Sequence, residues 1–212
     1  DLIAECVKKG IPHDPKTCNG PHFGGTSHAG LINEKTLKTL KDIGFTYLDY
    51  GLEHWDNKIL RNLGKGATAK SNKRAIKLTL EAGISPIPNQ IIMFPDESWE
   101  SLNTMLDAWE DTKIVTSPFI CTPYPGAEWY IKYKDFILEQ YGGSLESFIL
   151  DLEDATKITA LLTKKFTPAE AVGIQNIMSQ AAISGDFNNA KRLLAISRKM
   201  KESKLDLAMS VL

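Results

Sequence analysis

The sequence predicts an α/β fold, namely a partial parallel β/α (TIM-like) barrel followed by a C-terminal helical segment. Three amphipathic helices each end at a glycine that precedes an extended run, and these glycines are Gly10, Gly44 and Gly83. The glycines recur at intervals of 34 and 39 residues, which is the size of the helix–strand units that build parallel sheets. From Ser144 onward the apolar residues keep only helical spacing, which predicts helices alone.

Composition excludes several functional classes. The 212 residues are 42% hydrophobic and 24% charged, with a formal net charge of -1, as in an ordinary globular protein. This charge balance disfavours nucleic-acid and membrane-surface binding, and no apolar run approaches the ~20 residues that span a bilayer. The three scattered cysteines, Cys6, Cys18 and Cys121, favour a reducing cytoplasm over a disulfide framework.

The start of the chain favours a piece of a longer polypeptide over a processed or simply short N-terminus. Asp1 is not an initiator Met, and the apolar residues from Leu2 to Val7 already have helical spacing before Gly10. A helix that begins in mid-pattern usually follows an upstream strand in an α/β fold. A partial barrel of this kind would leave sheet edges unpaired, so we also expect low solubility.

The first part of the chain, residues 1–130, is predicted to alternate strands and helices. The predicted strands are Ile11–Asn19, Phe45–Leu52, Ile87–Met93 and Ile114–Cys121, and the predicted helices are Glu34–Ile43, Ala69–Ala82 and Ser98–Asp111. Strand alternation places Leu48, Tyr50 and Leu52 against helices and places Tyr47, Asp49, Gly51 and Glu53 on the opposite face. The segment Phe23–His28 is predicted to be a loop, either a ligand-approach loop or a plain flexible turn.

The second part, residues 144–212, is predicted to be a helical extension beyond a boundary between Trp129 and Gly143. One helix is expected over Leu145–Leu162. Thr167, Pro168 and Glu170 form the start signal of a second helix that ends near Gly185. Asp186 can cap a last helix through Met200.

Polar groups collect at three predicted strand ends, where sites in parallel β/α folds lie. The first end contains Cys18 and Asn19, the second contains Gly51 and Glu53, and the third is the run Met93–Pro95. The two carboxylates of the second strand, Asp49 and Glu53, indicate either a ligand site or an internal hydrogen-bond network. The third end is either a ligand contact or a βα loop whose helix is capped by Ser98.

The order of these motifs resembles the later half of the barrel of radical S-adenosylmethionine (radical SAM) enzymes, in the subgroup that often has an upstream cobalamin-binding domain. Each motif alone has low specificity, and their serial order is more specific. The matching segments are Cys18–Gly20, Gly51–His54, Ile59–Gly66, Ala82–Ile84, Met93–Ser98 and Thr122–Gly126.

The resemblance implies the cofactors and partners. It implies a [4Fe–4S] cluster that reductively cleaves S-adenosylmethionine (SAM) to a 5′-deoxyadenosyl radical, which takes hydrogen from a substrate. It therefore implies an electron donor and a substrate, a small molecule or one of another kind, and it leaves cobalamin open as a further cofactor.

The resemblance also implies roles for residues of three strand ends. Cys18 and Asn19 would lie near SAM, and Gly51 and Glu53 would line its ribose and methionine side. The run Met93, Phe94 and Pro95 would present backbone groups towards its adenine.

The sequence departs from the family pattern at several positions. The cluster motif CxxxCxxC is absent from the 212 residues, so the cluster ligands are expected outside this chain, which alone would be inactive. His54, Met93 and Pro21 replace a usual Ser, Gly and Arg. No metal ligands are predicted within this chain.

Two other functions stay open. One is a metal-dependent hydrolase, although its histidines do not form an H-x-H or HExxH pattern; its candidate residues are His22, His28, His54, Asp49 and Glu53. The other is a non-catalytic β/α scaffold or binding module, because a fold alone does not fix a function.

Overall fold

The computed structural model describes residues 23–153 and 160–210, with side chains through residue 203. The first predicted helix and the predicted strand Ile11–Asn19, including Cys18 and Asn19, lie outside these residues. Within the described part, no helix is long and apolar enough to cross a membrane.

The described residues form strands, α-helices and one short 3₁₀ helix, Ala29–Leu31. The strands are β1 (Phe23–Ser27), β2 (Phe45–Glu53), β3 (Ser85–Ile92) and β4 (Phe119–Ile120). The α-helices are α1 (Glu34–Asp42), α2 (Asn57–Asn62), α3 (Ala69–Glu81), α4 (Trp99–Thr112), α5 (Glu128–Glu139), α6 (Leu145–Glu153), α7 (Pro168–Ser184) and α8 (Phe187–Ser210).

The strands form a parallel sheet in the order β1-β2-β3-β4, which confirms the predicted α/β class. The chain divides into two compact units. The first contains residues up to Gln90 together with 111–116, and the second contains residues 91–110 and those from Ser117 onward. The predicted boundary between Trp129 and Gly143 stays a prediction.

In the first unit, the predicted orientation of β2 is confirmed. Leu48, Tyr50 and Leu52 are buried, and the Tyr50 hydroxyl lies 2.7 Å from the Thr79 hydroxyl of α3. Burial raises the pKa of Tyr50, and the hydrogen bond with Thr79 partly offsets this rise. The helix face of β2 is therefore packed against α3, which leaves the opposite face for Asp49, Gly51 and Glu53.

The predicted loop Phe23–His28 is wrong over most of its length, because Phe23–Ser27 is strand β1. β1 pairs in parallel with β2, from Phe23 opposite Phe45 to Ser27 opposite Tyr50. A Cβ atom on Gly24 would lie 1.9 Å from the ring of Tyr47. The aromatic side chain of the neighbouring strand thus occupies the space above this glycine, as in aromatic rescue of glycine in sheets.

Other boundaries also differ from the predictions. The predicted strand Ile114–Cys121 is reduced to the two residues of β4, because Lys113 has a left-handed φ of 57° and Pro118 has no N–H to donate. The predicted helix Leu145–Leu162 does not extend to its end, since residues 160–162 are not helical.

In the second unit, one apolar face of α4 forms part of the core. Leu102, Met105, Leu106 and Trp109 are fully buried. Trp109 meets Phe187 of α8 edge-on, with ring centroids 6.5 Å apart.

In the helical tail, the predicted bounds of α7 and the predicted start of α8 are confirmed. Thr167 and Glu170 form the capping box of α7, and Gly185 ends α7 with a φ of 73°. Asp186 accepts a hydrogen bond from the backbone N–H of Asn189 at the start of α8, and α8 continues past the predicted end at Met200.

Candidate functional site

Glu53, the last residue of β2, has an unusual backbone. The register of β2 against β3 shifts between Gly51 and Glu53, which is a β-bulge, a feature that often re-aims a side chain beside an active site. Glu53 has a φ of 61°, and the His54 N–H donates to the Leu52 carbonyl at 2.8 Å. These features define a tight γ-type turn that presents a carboxylate at the carboxyl end of a parallel strand.

The Glu53 carboxylate forms an ion pair with Lys65. The Lys65 ammonium donates to Glu53 Oε1, and the glutamate side chain is far more buried than that of the lysine, at 11% against 43% exposure. The Lys65 ammonium is partly exposed to solvent, so a ligand that arrives from solvent can reach it. The pair thus supplies one anionic and one cationic group side by side.

The loop that contains Lys65 is fixed by its own backbone. Gly64 and Gly66 have φ values of 68° and 66°, which only glycine adopts without strain. His28 Nδ1 accepts a hydrogen bond from the Gly30 N–H at 3.1 Å, so in the neutral ring the proton lies on Nε2. That nitrogen is 3.0 Å from the Lys65 carbonyl and donates to it, which holds the loop against the residues that follow β1.

Gly51 leaves room for the ion pair. A Cβ atom at this position would lie 2.8 Å from Glu53 Oε1 and 3.2 Å from Lys65 Nζ. A side chain there would therefore displace the charged groups. Gly51 and Glu53, which sequence reasoning assigned to one site, are indeed adjacent, and Lys65 completes the group.

Buried polar residues surround the turn of Glu53 within the same unit. The Trp55 indole N–H donates to Gln90 Oε1 at 2.7 Å, and both residues are almost fully buried. The Asn72 amide nitrogen donates to the carbonyls of Leu52 and His54, at 3.1 Å each. Buried polar groups of this kind rigidify a site when their bonds are made.

The third predicted strand end lies in the second unit. Met93 has a φ of 66° and a fully buried side chain. Its N–H donates to Glu97 Oε2 at 2.8 Å, and the Ser101 hydroxyl donates to Glu97 Oε1. Phe94 is buried and meets Trp129 edge-on at 5.3 Å, whereas Pro95 is partly exposed. Adenine contact by this run stays a prediction.

Sequence reasoning missed the roles of Lys65, Asn72 and Glu97. Lys65 lies in the segment Ile59–Gly66, which was matched to the family. Its two flanking glycines were the available signal that the backbone there adopts positive φ angles. Asn72 and Glu97 act through hydrogen bonds to backbone groups, which no spacing pattern reveals. Cys18 and Asn19 lie outside the described residues, so their placement near SAM stays a prediction.

The described residues do not supply a metal-ligand cluster. Within residues 23–153 and 160–203, no three or more His, Cys, Asp or Glu side chains are grouped so that they could hold a metal ion. His28 uses both ring nitrogens on backbone groups, and His54 Nδ1 accepts from the Asp56 N–H at 2.9 Å. These bonds disfavour the hydrolase alternative for these two histidines.

The chain is an α/β protein with a parallel sheet, and its Glu53–Lys65 pair lies at the carboxyl end of a strand, where sites in parallel α/β folds are commonly found. Residues 1–109 match the family model of the Radical SAM superfamily. Because this match covers just over half of the chain, the chain belongs to the Radical SAM superfamily. The family implies a [4Fe–4S] cluster and SAM as cofactors.

The chain is also similar to individual proteins. It is 32% identical over 102 residues to an uncharacterized methyltransferase of Pyrococcus horikoshii, a match that covers 48% of this chain and 22% of that protein. The chain thus spans about a fifth of the length of this curated relative.

Two solved structures resemble the fold. The radical SAM methyltransferase TsrM from Kitasatospora setae, with cobalamin and a [4Fe–4S] cluster bound, has a TM-score of 0.48 and 21% identity over 58% of this chain and 25% of that chain. Coproporphyrinogen III oxidase from Escherichia coli has a TM-score of 0.49 and 16% identity over 58% of this chain and 28% of that chain.

Proposed function

We propose that this chain is the later part of a radical SAM enzyme, and that Glu53 and Lys65 hold the amino-acid end of SAM. The observation that supports the proposal most is the ion pair of these two residues above Gly51. The amino-acid end of SAM carries an ammonium and a carboxylate on one carbon. The Glu53 carboxylate matches the ammonium, and the Lys65 ammonium matches the carboxylate.

Binding would exchange one internal ion pair for two pairs with the ligand. The buried position of Glu53 strengthens its attraction for a cation, because nearby water screens a buried carboxylate less. The half-exposed Lys65 side chain can swing to meet the ligand carboxylate, since its glycine-flanked backbone stays anchored by His28. Gly51 lets the amino-acid end approach the strand backbone.

The cofactors fit this chain unequally. The Glu53–Lys65 pair fits SAM, whereas the described residues offer no ligand set for a [4Fe–4S] cluster. The sequence has no CxxxCxxC motif, so the cluster would be held by residues outside the chain. When bound, the cluster supplies the electron that cleaves SAM, and this chain's residues would orient SAM for that electron transfer.

The remaining parts of the proposal concern the whole enzyme. We propose an external electron donor, a substrate that is a small molecule or of another kind, and a cytoplasmic location, because the three scattered cysteines fit a reducing compartment. Cobalamin stays open as a further cofactor. The roles of Cys18, Asn19, Met93, Phe94 and Pro95, and the domains 1–130 and 144–212, stay predictions.

SAM binding by variants of the pair tests the proposed site. The longest natural polypeptide that contains this segment is purified without oxygen and reconstituted with iron and sulfide. We expect Glu53→Gln and Lys65→Met to raise the dissociation constant for SAM by at least about tenfold, because each removes a charge-assisted bond. Lys73→Met is the matched control, since Lys73 pairs with Asp111 in the same unit without contacting Glu53.

The reaction is tested in the same preparation by adding SAM and a reductant, with and without cobalamin. We expect 5′-deoxyadenosine, and we expect its formation to fall in both variants and to persist in Lys73→Met. If the reconstituted polypeptide neither binds SAM nor forms 5′-deoxyadenosine, the chain shares only the scaffold, and a binding module becomes the better hypothesis. If Lys73→Met is as defective as Lys65→Met, the proposed site is wrong.

A further inference from the structure

The turn that presents Glu53 is held by a residue from a different element, Asn72 of α3. The Asn72 side chain is fully buried. Its amide nitrogen lies 3.1 Å from the Leu52 carbonyl and 3.1 Å from the His54 carbonyl. A primary amide has two N–H donors, so one side chain bonds the carbonyls on both sides of Glu53.

The turn needs such a brace. Glu53 has a φ of 61°, a left-handed conformation that is unfavourable for a residue with a Cβ atom. The His54 N–H closes the turn onto the Leu52 carbonyl, and the strand register is already shifted at this point. Strained backbone of this kind persists only where surrounding groups fix it.

The hydrogen bonds of Asn72 indicate that its N–H groups, and not its side-chain oxygen, stabilise the fold. Its Oδ1 atom is buried and has no hydrogen-bond partner among the residues that the structure describes. A buried acceptor without a partner is unfavourable. The side chain is therefore stabilised through its two N–H groups, and both of them act on the Glu53 turn.

We propose that Asn72 is a positioning residue that fixes the Glu53 carboxylate for the ammonium group of SAM. Asn72 acts through the backbone and does not touch the ligand. The inference rests on the proposed function, because it takes Glu53 as the group that binds SAM. It assigns to α3, which lies on the other face of β2 from the ion pair, the task of keeping the site preorganised.

A double-mutant cycle separates positioning from general stability. We expect Asn72→Ala to weaken SAM binding by about tenfold, since small displacements of a charged group lose much of its interaction. In a Glu53→Gln background, the same Asn72→Ala change should alter the dissociation constant by about twofold or less, because the positioned group is gone. The measurement is calorimetric titration of the natural full-length polypeptide with SAM.

Thr79→Val is the matched control. Thr79 lies two turns further along α3 and also makes a buried side-chain hydrogen bond to β2, through the Tyr50 hydroxyl. Its loss removes a buried polar contact between the same helix and the same strand without touching the Glu53 turn. We expect Thr79→Val to lower the unfolding midpoint comparably to Asn72→Ala and to leave SAM affinity within about twofold.

Amide hydrogen exchange supplies a readout without ligand. The His54 amide is bonded within the turn, so Asn72→Ala should speed its exchange by about tenfold or more through local opening. The exchange rates of amides in the first half of β2, such as that of Leu48, should change no more in Asn72→Ala than in Thr79→Val.

The outcomes separate the two proposals. Positioning of Glu53 cannot explain an Asn72→Ala loss of SAM affinity that is as large in the Glu53→Gln background as in the wild type, so that result overturns the inference. An unchanged His54 exchange rate overturns it as well. If the wild-type polypeptide does not bind SAM, the proposed function fails, and the inference for SAM fails with it, whereas selective His54 exchange would still identify Asn72 as the brace of the turn.

Discussion

At the scale of single residues, two strand ends share one backbone feature, a non-glycine residue with a positive φ. Glu53 is the last residue of β2 and Met93 directly follows β3, and both have positive φ values although neither is glycine. Each is held by side chains from outside its own strand, Asn72 for the Glu53 turn and Glu97 for the Met93 N–H. The sharp turn lets the chain leave a strand while keeping backbone groups bonded, which buried backbone requires.

The left-handed backbone of Met93 gives a prediction about two substitutions. Met93→Ala removes a fully buried side chain and should lower the free energy of unfolding by about 2 to 4 kcal/mol. Met93→Gly removes the same side chain and also relieves the left-handed strain, so it should be less destabilising than Met93→Ala by about 1 kcal/mol. Urea unfolding of both variants measures the difference.

The order of the two Met93 variants is the decisive result. In an ordinary strand or helix position, glycine is less stable than alanine by roughly 0.5 to 1 kcal/mol. An alanine variant that is more stable than the glycine variant would therefore contradict the left-handed conformation of Met93. Ile92, fully buried directly before the turn, offers a control pair in extended backbone, where alanine should be the better replacement.

At the scale of elements, α8 is attached to α4 by charged groups as well as by core residues. Lys191 of α8 lies 2.6 Å from Asp107 and 2.8 Å from Glu110 of α4. The hydrogen bonds to Asp107 and then to Glu110 raise the pKa of Lys191, against the opposing effect of burial. One lysine thus joins two carboxylates that lie one helical turn apart on the neighbouring helix.

The raised pKa of Lys191 predicts a pH-dependent contribution to stability. Because the folded-state pKa exceeds the unfolded value, the stabilisation is complete below the unfolded pKa of about 10.4. It is lost as pH rises through the folded pKa. Lys191→Met should therefore lower the free energy of unfolding by about 1 kcal/mol at pH 7. The difference in unfolding free energy between wild type and Lys191→Met should shrink as the pH rises above the folded-state pKa of Lys191.

Urea unfolding of wild type and Lys191→Met from pH 7 to pH 11 tests this contribution. Lys199→Met is the control, because Lys199 is an exposed lysine of the same helix and should show a smaller difference at pH 7. A wild-type-to-Lys191→Met difference that stays constant across the alkaline range would contradict the ion-pair explanation.

Elements with local signals could be predicted from the sequence. The start of α7 depends on Thr167, Pro168 and Glu170, which lie within four consecutive residues and include the two partners of the capping box. Gly185 similarly ends that helix through its own left-handed φ. Such signals need no knowledge of distant contacts, and the predicted bounds were confirmed.

Elements that depend on distant contacts could not be predicted. β1 contains two adjacent glycines, which indicate a loop, and it becomes a strand because β2 pairs with it and Tyr47 covers Gly24. At the site, Gly51 and Glu53 were found from strand alternation. Lys65 and Asn72 were not assigned, because their bonds to the turn join residues 12 to 20 positions apart.

At the scale of the whole molecule, the edge of the sheet matters for solubility. Among the described residues, β1 pairs only with β2. A strand edge without a neighbour presents N–H and C=O groups that can pair with another chain. Low solubility of this chain stays a prediction, and among the described strands Phe23–Ser27 is an edge on which it can be tested.

A charge on β1 should reduce self-association through that edge. Thr26 is exposed and lies opposite Asp49 of β2, so Thr26→Lys adds a charge that disfavours edge pairing and can also pair with Asp49. Thr26→Val keeps strand propensity without adding charge. Light scattering over a concentration series should show wild type and Thr26→Val associating at lower concentration than Thr26→Lys. If all three associate equally, contacts elsewhere than β1 cause the low solubility, and if wild type stays monomeric throughout, the expectation itself is wrong.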